Sequence, residues 1–326
     1  MRMDKTTGTL LLAAGMIAAF GCFFPRPQGH MLALGSRAEW IINTGMDEER
    51  FYTRKAGWPA EKLDMLIAGD SRIYRGVSPA EMGKLFPGWR IRNFGFSSGS
   101  YSALFMNAIE RLVDPASSNR VIVLGITPYS LTGGGMYWNQ FNEEIKRRRT
   151  EVWERLFVQP ALTFFKPLTL RELERGLKGQ LMPKGIRYYQ RFEADGWVAS
   201  HKDPEDPEEA FSEYVSNFRK NPVVDRYVED LVTTTRSWTA KGIRVFAFRP
   251  PTTDKMVELE NRLSGFNETD LVRRLASSGV VWIPTANARY HSYDGSHLDE
   301  TSALRFSRDL AIAIQAHLNK ANQPAL

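Results

Sequence analysis

From Leu63 onward the chain alternates between short, continuous apolar runs and longer stretches in which apolar residues recur every three or four positions. A brief apolar run bounded by turn residues suits a strand buried on both faces, whereas the second pattern is that of an amphipathic helix. The alternation predicts strands at 63–68, 89–94, 120–125, 243–248 and 280–283, with helices at 79–85, 100–112 and 225–241 between them. Gly242 stands where the last of these helices should end. A final helix over 301–318 places Leu304, Leu310, Ile314 and Leu318 at helical spacing for one buried face. Strands separated by helices pair in parallel and are covered on both sides. The expected fold is therefore α/β, a three-layer α/β/α sandwich around a parallel five-stranded sheet.

The interval 132–224 breaks the alternation. It holds the Gly133-Gly134-Gly135 turn, a charged helical piece over 143–157, several prolines and an acidic loop near Asp203 and Glu209. A connection this long carries structure of its own, and a mostly helical insertion over one edge of the sheet is expected. The main domain then spans 60–326. Residues 28–59 form a membrane-proximal connection with one helical segment at about 36–44.

Ahead of that connection, residues 9–24 are apolar, follow Arg2 and Lys5, and end at Pro25 and Pro27. The stretch is slightly short for a spanning helix of about 20 residues but within the range seen. An uncleaved signal-anchor, a cleaved signal peptide and a lipoprotein signal lipidated at Cys22 all fit such a segment. The expectation is an anchor at 1–27, because small residues are poorly placed for cleavage and Phe20 is bulky for a lipoprotein box. Positive charge before the stretch keeps the N-terminus cytoplasmic and puts the domain on the extracytoplasmic side of the cell membrane; a secreted protein or a lipoprotein is the alternative. Cys22 is the single cysteine, which rules out a disulfide within the chain and a cysteine-based zinc site. The net charge of +6 favours anionic surroundings. The densest basic run, 146–149, follows Glu143 and Glu144 and reads as a solvated helix face. No stacking or helix-turn-helix pattern accompanies it, so no nucleic-acid partner is expected.

Two short blocks carry chemistry. In Ile67-Ala68-Gly69-Asp70-Ser71-Arg72 an apolar strand runs directly into Gly-Asp-Ser, which puts Ser71 beyond the carboxyl end of a strand, where open α/β sheets bind ligands. A serine hydroxyl needs a base within hydrogen-bond reach, itself oriented by a third group. Tyr293-Asp294-Gly295-Ser296-His297-Leu298 follows the last strand, and its spacing lets one tight turn present the Asp294 carboxylate to the His297 ring. Either block alone is common, Gly-Asp-Ser as an ordinary strand-to-helix turn with a capping residue; the two together, in this order, point to a catalytic triad. The series His291, Asp294, His297 has metal-ligand spacing too, but no second ligand cluster supports it and no metal or cofactor is expected.

Together these blocks resemble the SGNH (GDSL-like) hydrolase superfamily over roughly 63–318. The resemblance implies Ser71 as nucleophile and an oxyanion hole made by the Ser71 N–H and the N–H of Gly95, in Asn93-Phe94-Gly95-Phe96-Ser97. The third block departs: where members carry Gly-x-Asn-Asp, this chain reads Gly125-Ile126-Thr127-Pro128-Tyr129, leaving Thr127, Tyr129 or Asn139 to replace the asparagine. That departure resembles the divergent, membrane-anchored branch containing the alginate acetylation proteins and the D-alanyl transfer protein of teichoic acid modification. Those work beside a membrane-bound O-acyltransferase, which the resemblance implies as acyl donor. Arg249, ending its strand in Phe248-Arg249-Pro250, and Arg72, beside the nucleophile, are candidates to grip an anionic substrate group, with Asn139 a further substrate contact.

Three functions follow. The first expectation is an extracytoplasmic O-acyltransferase that moves acetyl groups onto a polysaccharide through an acyl-Ser71. The same acyl-enzyme given up to water makes a carbohydrate or lipid esterase. The third is a non-catalytic glycan-binding or scaffold subunit, resting on the insertion's aromatics Tyr137, Trp138, Trp153, Tyr188, Tyr189 and Trp197.

Overall fold

The computed structural model of the protein describes residues 28–34, 37–57, 62–160 and 186–321. The apolar stretch 9–24 and its anchor reading lie outside them. Among the described residues no helix is long and apolar enough to cross a membrane.

Two sheets organise the chain. Strands β1 (Gln28–Leu34) and β2 (Arg37–Gly45) precede β3 (Met65–Gly69), β4 (Ile91–Asn93) and β5 (Val121–Gly125); β6 (Ile186–Phe192) and β7 (Val198–Asp203) come next, then β8 (Arg244–Phe248) and β9 (Val281–Trp282). The main sheet has the order β4-β3-β5-β8-β9. All its pairings are parallel, with Gly69 opposite Gly125 and Gly125 opposite Phe248 at the carboxyl ends. The expected five-stranded α/β/α sandwich is the fold.

Alternation along the strands explains the layers, because successive side chains of a strand point to opposite faces. Leu66, Ala68, Ile122, Leu124, Val245 and Ala247 face one side, where they pack with Phe94, Phe105, Ile109, Leu231, Trp238 and Leu275. Met65, Ile67, Val121, Val123, Phe246 and Phe248 face the other, against Leu298, Phe306, Leu310 and Ile314 of the C-terminal segment. Both sets are buried, which is why the central strands read as unbroken apolar runs rather than alternating ones. The helices Ala103–Leu112 and Asp225–Ala240 cover the first face, and Glu300–Ala321 covers the second.

The second sheet, of order β1-β2-β6-β7, was not legible in the pattern. Residues 37–45, expected to be helical, form β2, which pairs antiparallel with β1 and parallel with β6. Its partner lies far along the chain, inside the insertion, so no local signal announces the pairing. The insertion is helical where the charged piece was expected, in Gln140–Ile145, Arg149–Trp153 and the π-turn Glu154–Val158, but it also contributes the β6–β7 hairpin. That hairpin docks on the main domain. Trp197 Nε1 donates to the Arg75 carbonyl at 2.9 Å, the Asn93 N–H donates to the Asp195 carbonyl at 2.9 Å, and the buried Lys55 Nζ donates to the Gly196 carbonyl at 2.8 Å.

Candidate active site

At the carboxyl end of β3 the chain turns sharply into the short helix Ser71–Gly76. The turn depends on Gly69, whose φ of 156° few other residues adopt; a Cβ there would sit 2.4 Å from Ile73 Cγ1. Asp70 caps the helix, its Oδ1 accepting from the Arg72 N–H at 3.0 Å. The next strand, β4, ends in Asn93, fully buried, whose Nδ2 donates to the carbonyls of Ile73 and Val77 at 2.8 and 2.7 Å. Ser71 is thus held at the head of a braced helix, partly open to solvent.

The second half of the site is the turn after β9. Asp294 Oδ1 accepts from the backbone N–H groups of Ser296 and His297 at 2.8 and 2.7 Å, so the carboxylate shapes the turn that carries it. Its other oxygen, Oδ2, lies 2.7 Å from His297 Nδ1, and His297 Nε2 lies 2.9 Å from Ser71 Oγ. Gly295 closes the turn with φ 85°, its would-be Cβ position 2.2 Å from the Pro207 carbonyl oxygen. With Asp294 ionised, Nδ1 carries the ring proton and donates to it, which leaves Nε2 to accept the Ser71 hydroxyl proton.

Electrostatics agree with that assignment. Burial pushes the Asp294 carboxyl up, but the facing His297 ring and three hydrogen bonds outweigh it and hold the group well below the usual carboxylate range. His297 moves down from the ordinary histidine value: burial disfavours its cation, Asp294 opposes that, and the charges of Arg75 and Arg72 reinforce it. A neutral histidine bonded to a serine hydroxyl, with an ionised aspartate behind it, is a general base poised at neutral pH.

Ser71, His297 and Asp294 open into a cavity of about 420 Å³ lined also by Asp70, Arg75, Ser97, Ser98, Tyr129, Trp138, Lys202, Glu209, Glu213 and Tyr214. Ser98 has φ 51°, a left-handed conformation uncommon for serine and a mark of a backbone held for a purpose.

The other residues singled out from the sequence are engaged in contacts of their own. The Gly95 N–H donates to Asn93 Oδ1 at 2.9 Å, and the Thr127 hydroxyl donates to Asp70 Oδ2 at 2.5 Å. Neither is among the residues lining the cavity, whereas Ser97 and Ser98, two and three residues after Gly95, are. Asn139 caps the helix Gln140–Ile145, accepting from the Asn142 N–H at 2.8 Å, and is buried away from the cavity. Arg72 and Arg249 are not among the residues lining the cavity either. Both guanidinium groups converge on Glu260, at 2.7 Å each, and all three side chains are buried. Arg249 also pairs with Glu268 at 3.0 Å, and Arg72 Nε donates to Ser296 Oγ at 3.0 Å. Strand-end position alone could not distinguish an arginine aimed at ligand from one aimed at a buried carboxylate.

Among the insertion's aromatics, Tyr188 and Trp197 are core, whereas Tyr137, Trp138 and Trp153 stand 73%, 63% and 61% exposed. His291 does not join His297: its Nε2 meets Glu205 at 2.6 Å, and Glu205, His291 and Asp299 place their ligand atoms within 4.8 Å of one another at the surface.

No family model matches the chain, and no curated protein matches it. Among solved structures it is similar to a carbohydrate acetylesterase from Sinorhizobium meliloti, at 11% identity and a TM-score of 0.33, over 77% of this chain and 98% of that one. It is similar also to a Streptococcus pneumonia protein provisionally described as a platelet activating factor, at 11% identity and a TM-score of 0.34, over 82% of this chain and 92% of that one. Likenesses this loose carry no argument about activity.

Proposed function

We propose that this protein is a serine esterase acting on acylated carbohydrate through an acyl-Ser71 intermediate. The observation that carries the proposal is the unbroken relay from Ser71 Oγ to His297 Nε2, and from His297 Nδ1 to Asp294 Oδ2, at 2.9 and 2.7 Å. In the first step Ser71 Oγ attacks the ester carbonyl carbon while its proton passes to Nε2. The tetrahedral intermediate collapses, the sugar oxygen leaves with the proton from His297, and the acyl group stays on Ser71. Water, deprotonated by the same nitrogen, then attacks the acyl-serine and releases the acid. Asp294 keeps the ring in the right tautomer and stabilises the imidazolium formed in each half. The backbone N–H of Ser71 is the first candidate donor to the developing oxyanion, with the Ser97 and Ser98 N–H groups, also of residues lining the cavity, as further candidates.

Carbohydrate is favoured over lipid by the lining, which is largely polar and includes Trp138, and by the exposed Tyr137 packed against that residue. These two rings meet edge to face at 4.8 Å and leave broad apolar faces in water, the kind of surface on which sugar rings stack. Hydrolysis is favoured over transfer because the cavity is open and polar, and transfer needs water kept from the acyl-enzyme. The transferase reading uses the same Ser71 adduct and adds a membrane-bound O-acyltransferase as donor; release of acyl-sugar rather than free acid would identify it.

The test is turnover of 4-nitrophenyl acetate and acetylated oligosaccharide by the full chain beside its Ser71→Ala and His297→Ala forms. Activity lost in both variants supports the proposal. Equal behaviour of all three, with folding intact, sinks it and brings the glycan-binding reading forward. The extracytoplasmic, membrane-tethered placement rests on residues 1–27 alone; digestion of the domain by external protease in cells whose outer barriers are opened supports it, and protection until the cytoplasmic membrane is lysed contradicts it.

A further inference from the structure

Arg75 follows Ser71 by four positions on the helix Ser71–Gly76, so the two side chains leave from one face, and both line the cavity. Arg75 is one of the charged groups there that the reaction above does not use, with Lys202, Glu209 and Glu213. Its guanidinium lies against the rings of Tyr74 and Tyr188, at 5.3 and 5.5 Å from their centres, and Nη1 reaches the Tyr293 hydroxyl at 3.4 Å. Its Nε is buried with no hydrogen-bond partner. Its neighbours are tyrosines, and among the described residues no carboxylate is ion-paired with it.

Among the described residues, three other cations near the site have carboxylate partners, whereas Lys55, buried against the Phe51, Tyr74 and Phe96 rings, donates its Nζ to the Gly196 carbonyl. Arg72 and Arg249 share Glu260, and Lys202 meets Glu209 at 2.6 Å. The carboxylates that line the cavity are likewise spoken for: Asp70 holds the Arg72 N–H and the Thr127 hydroxyl, Asp294 holds His297, and Glu209 holds Lys202. Glu213 stands exposed on the rim. Arg75 is half-buried; a guanidinium partly withdrawn from water without a counter-charge is costly, and ring faces replace only part of what an anion supplies. A planar fork of donors is also the group best suited to a carboxylate.

We propose that Arg75 reads the charge of the substrate: it receives the carboxylate of an acidic sugar and so sets an ester on that sugar at Ser71, with Trp138 carrying the ring at the mouth. The substrate class is then acylated sugar acids, an assignment that deepens the esterase reading and rests on it for the role of Ser71. Arg75 touches substrate here and takes no part in proton transfer.

The test is a calorimetric titration of the full chain with an oligogalacturonate, with the same oligosaccharide as its neutral methyl ester, and with galactose 6-phosphate. The acid should bind at least ten-fold more tightly than the methyl ester, a preference that weakens with added salt. Arg75→Gln should abolish the preference and Arg75→Lys retain part of it, while Trp138→Ala should weaken acid and ester alike. Equal affinity for acid and ester in the unaltered protein overturns the inference without reference to any variant, as does absence of binding by the acid or a preference that survives Arg75→Gln. Tighter binding of the sugar phosphate than of the acid overturns the carboxylate assignment. Because binding is read without turnover, a charge preference in a protein lacking Ser71-dependent activity sinks the esterase reading and leaves the anion site standing. Turnover without the preference does the reverse.

Discussion

His297 decides the pH behaviour of the site. It must be neutral to accept the Ser71 proton, and burial together with Arg75 and Arg72 lowers its pKa from 6.5, against the pull of Asp294. A lowered value keeps the base competent into mildly acid solution. The account predicts that kcat/KM for a neutral acetyl ester falls on the acid side with a midpoint below 6.5, and that Arg75→Gln moves this midpoint upward by removing a repelling charge. A midpoint above 6.5 would contradict it. Replacing Ser71 by Ala should cost about 10⁴-fold or more in kcat, and Asp294→Asn, which leaves the ring free to take the wrong tautomer, about 10³ to 10⁴-fold. Ser71, Asp294 and His297 were legible because each sits in a short contiguous block at a strand end. Arg75 was equally visible as the residue four positions after Ser71 on a helix, but its want of a partner shows only when the tyrosines from three separate segments are assembled around it.

Between elements, the site rests on contacts that the pattern of apolar residues does not encode. Glu260, on the helix Asp254–Ser264, ties Arg72 beside the nucleophile to Arg249 at the end of β8. Removing its charge leaves the buried Arg72 guanidinium without its carboxylate and Arg249 with Glu268 alone, so Glu260→Gln should destabilise the fold by about 3–5 kcal/mol in urea titration. A loss under about 1 kcal/mol would show that the network is solvated and weak. The Asp294 turn is as constrained. Gly295→Ala meets the Pro207 carbonyl and an unfavourable φ together; it should lower stability by about 1–3 kcal/mol and reduce activity further by displacing His297. Strands β3, β5 and β8 were legible because burial on both faces makes them continuous apolar runs. The strand β2 was not, since residues 37–45 owe their extended form to β6, a partner that no local sequence signal announces.

Across the whole molecule, the insertion does more than cover an edge. Its β6–β7 hairpin supplies Lys202 to the cavity, and its Tyr188 and Ser200 hydroxyls meet the Tyr293 hydroxyl at 3.3 and 3.2 Å, beside the catalytic turn. Its helical part supplies Trp138 to the cavity lining, with Tyr137 packed against it, so on the proposed function the three-layer domain furnishes the relay and the insertion adds part of the surface around the substrate. Trp138→Ala should accordingly raise KM for acetylated oligosaccharide several-fold while changing turnover of 4-nitrophenyl acetate little; a parallel loss on both esters would place Trp138 in the fold rather than in recognition. The measurement that tests the central claim most directly is mass spectrometry of the full chain after reaction with a fluorophosphonate, followed by peptide mapping. The account predicts one adduct, on Ser71, formed far more slowly when His297 is replaced by Ala. No adduct, or one on another residue at the same rate in both proteins, would contradict it.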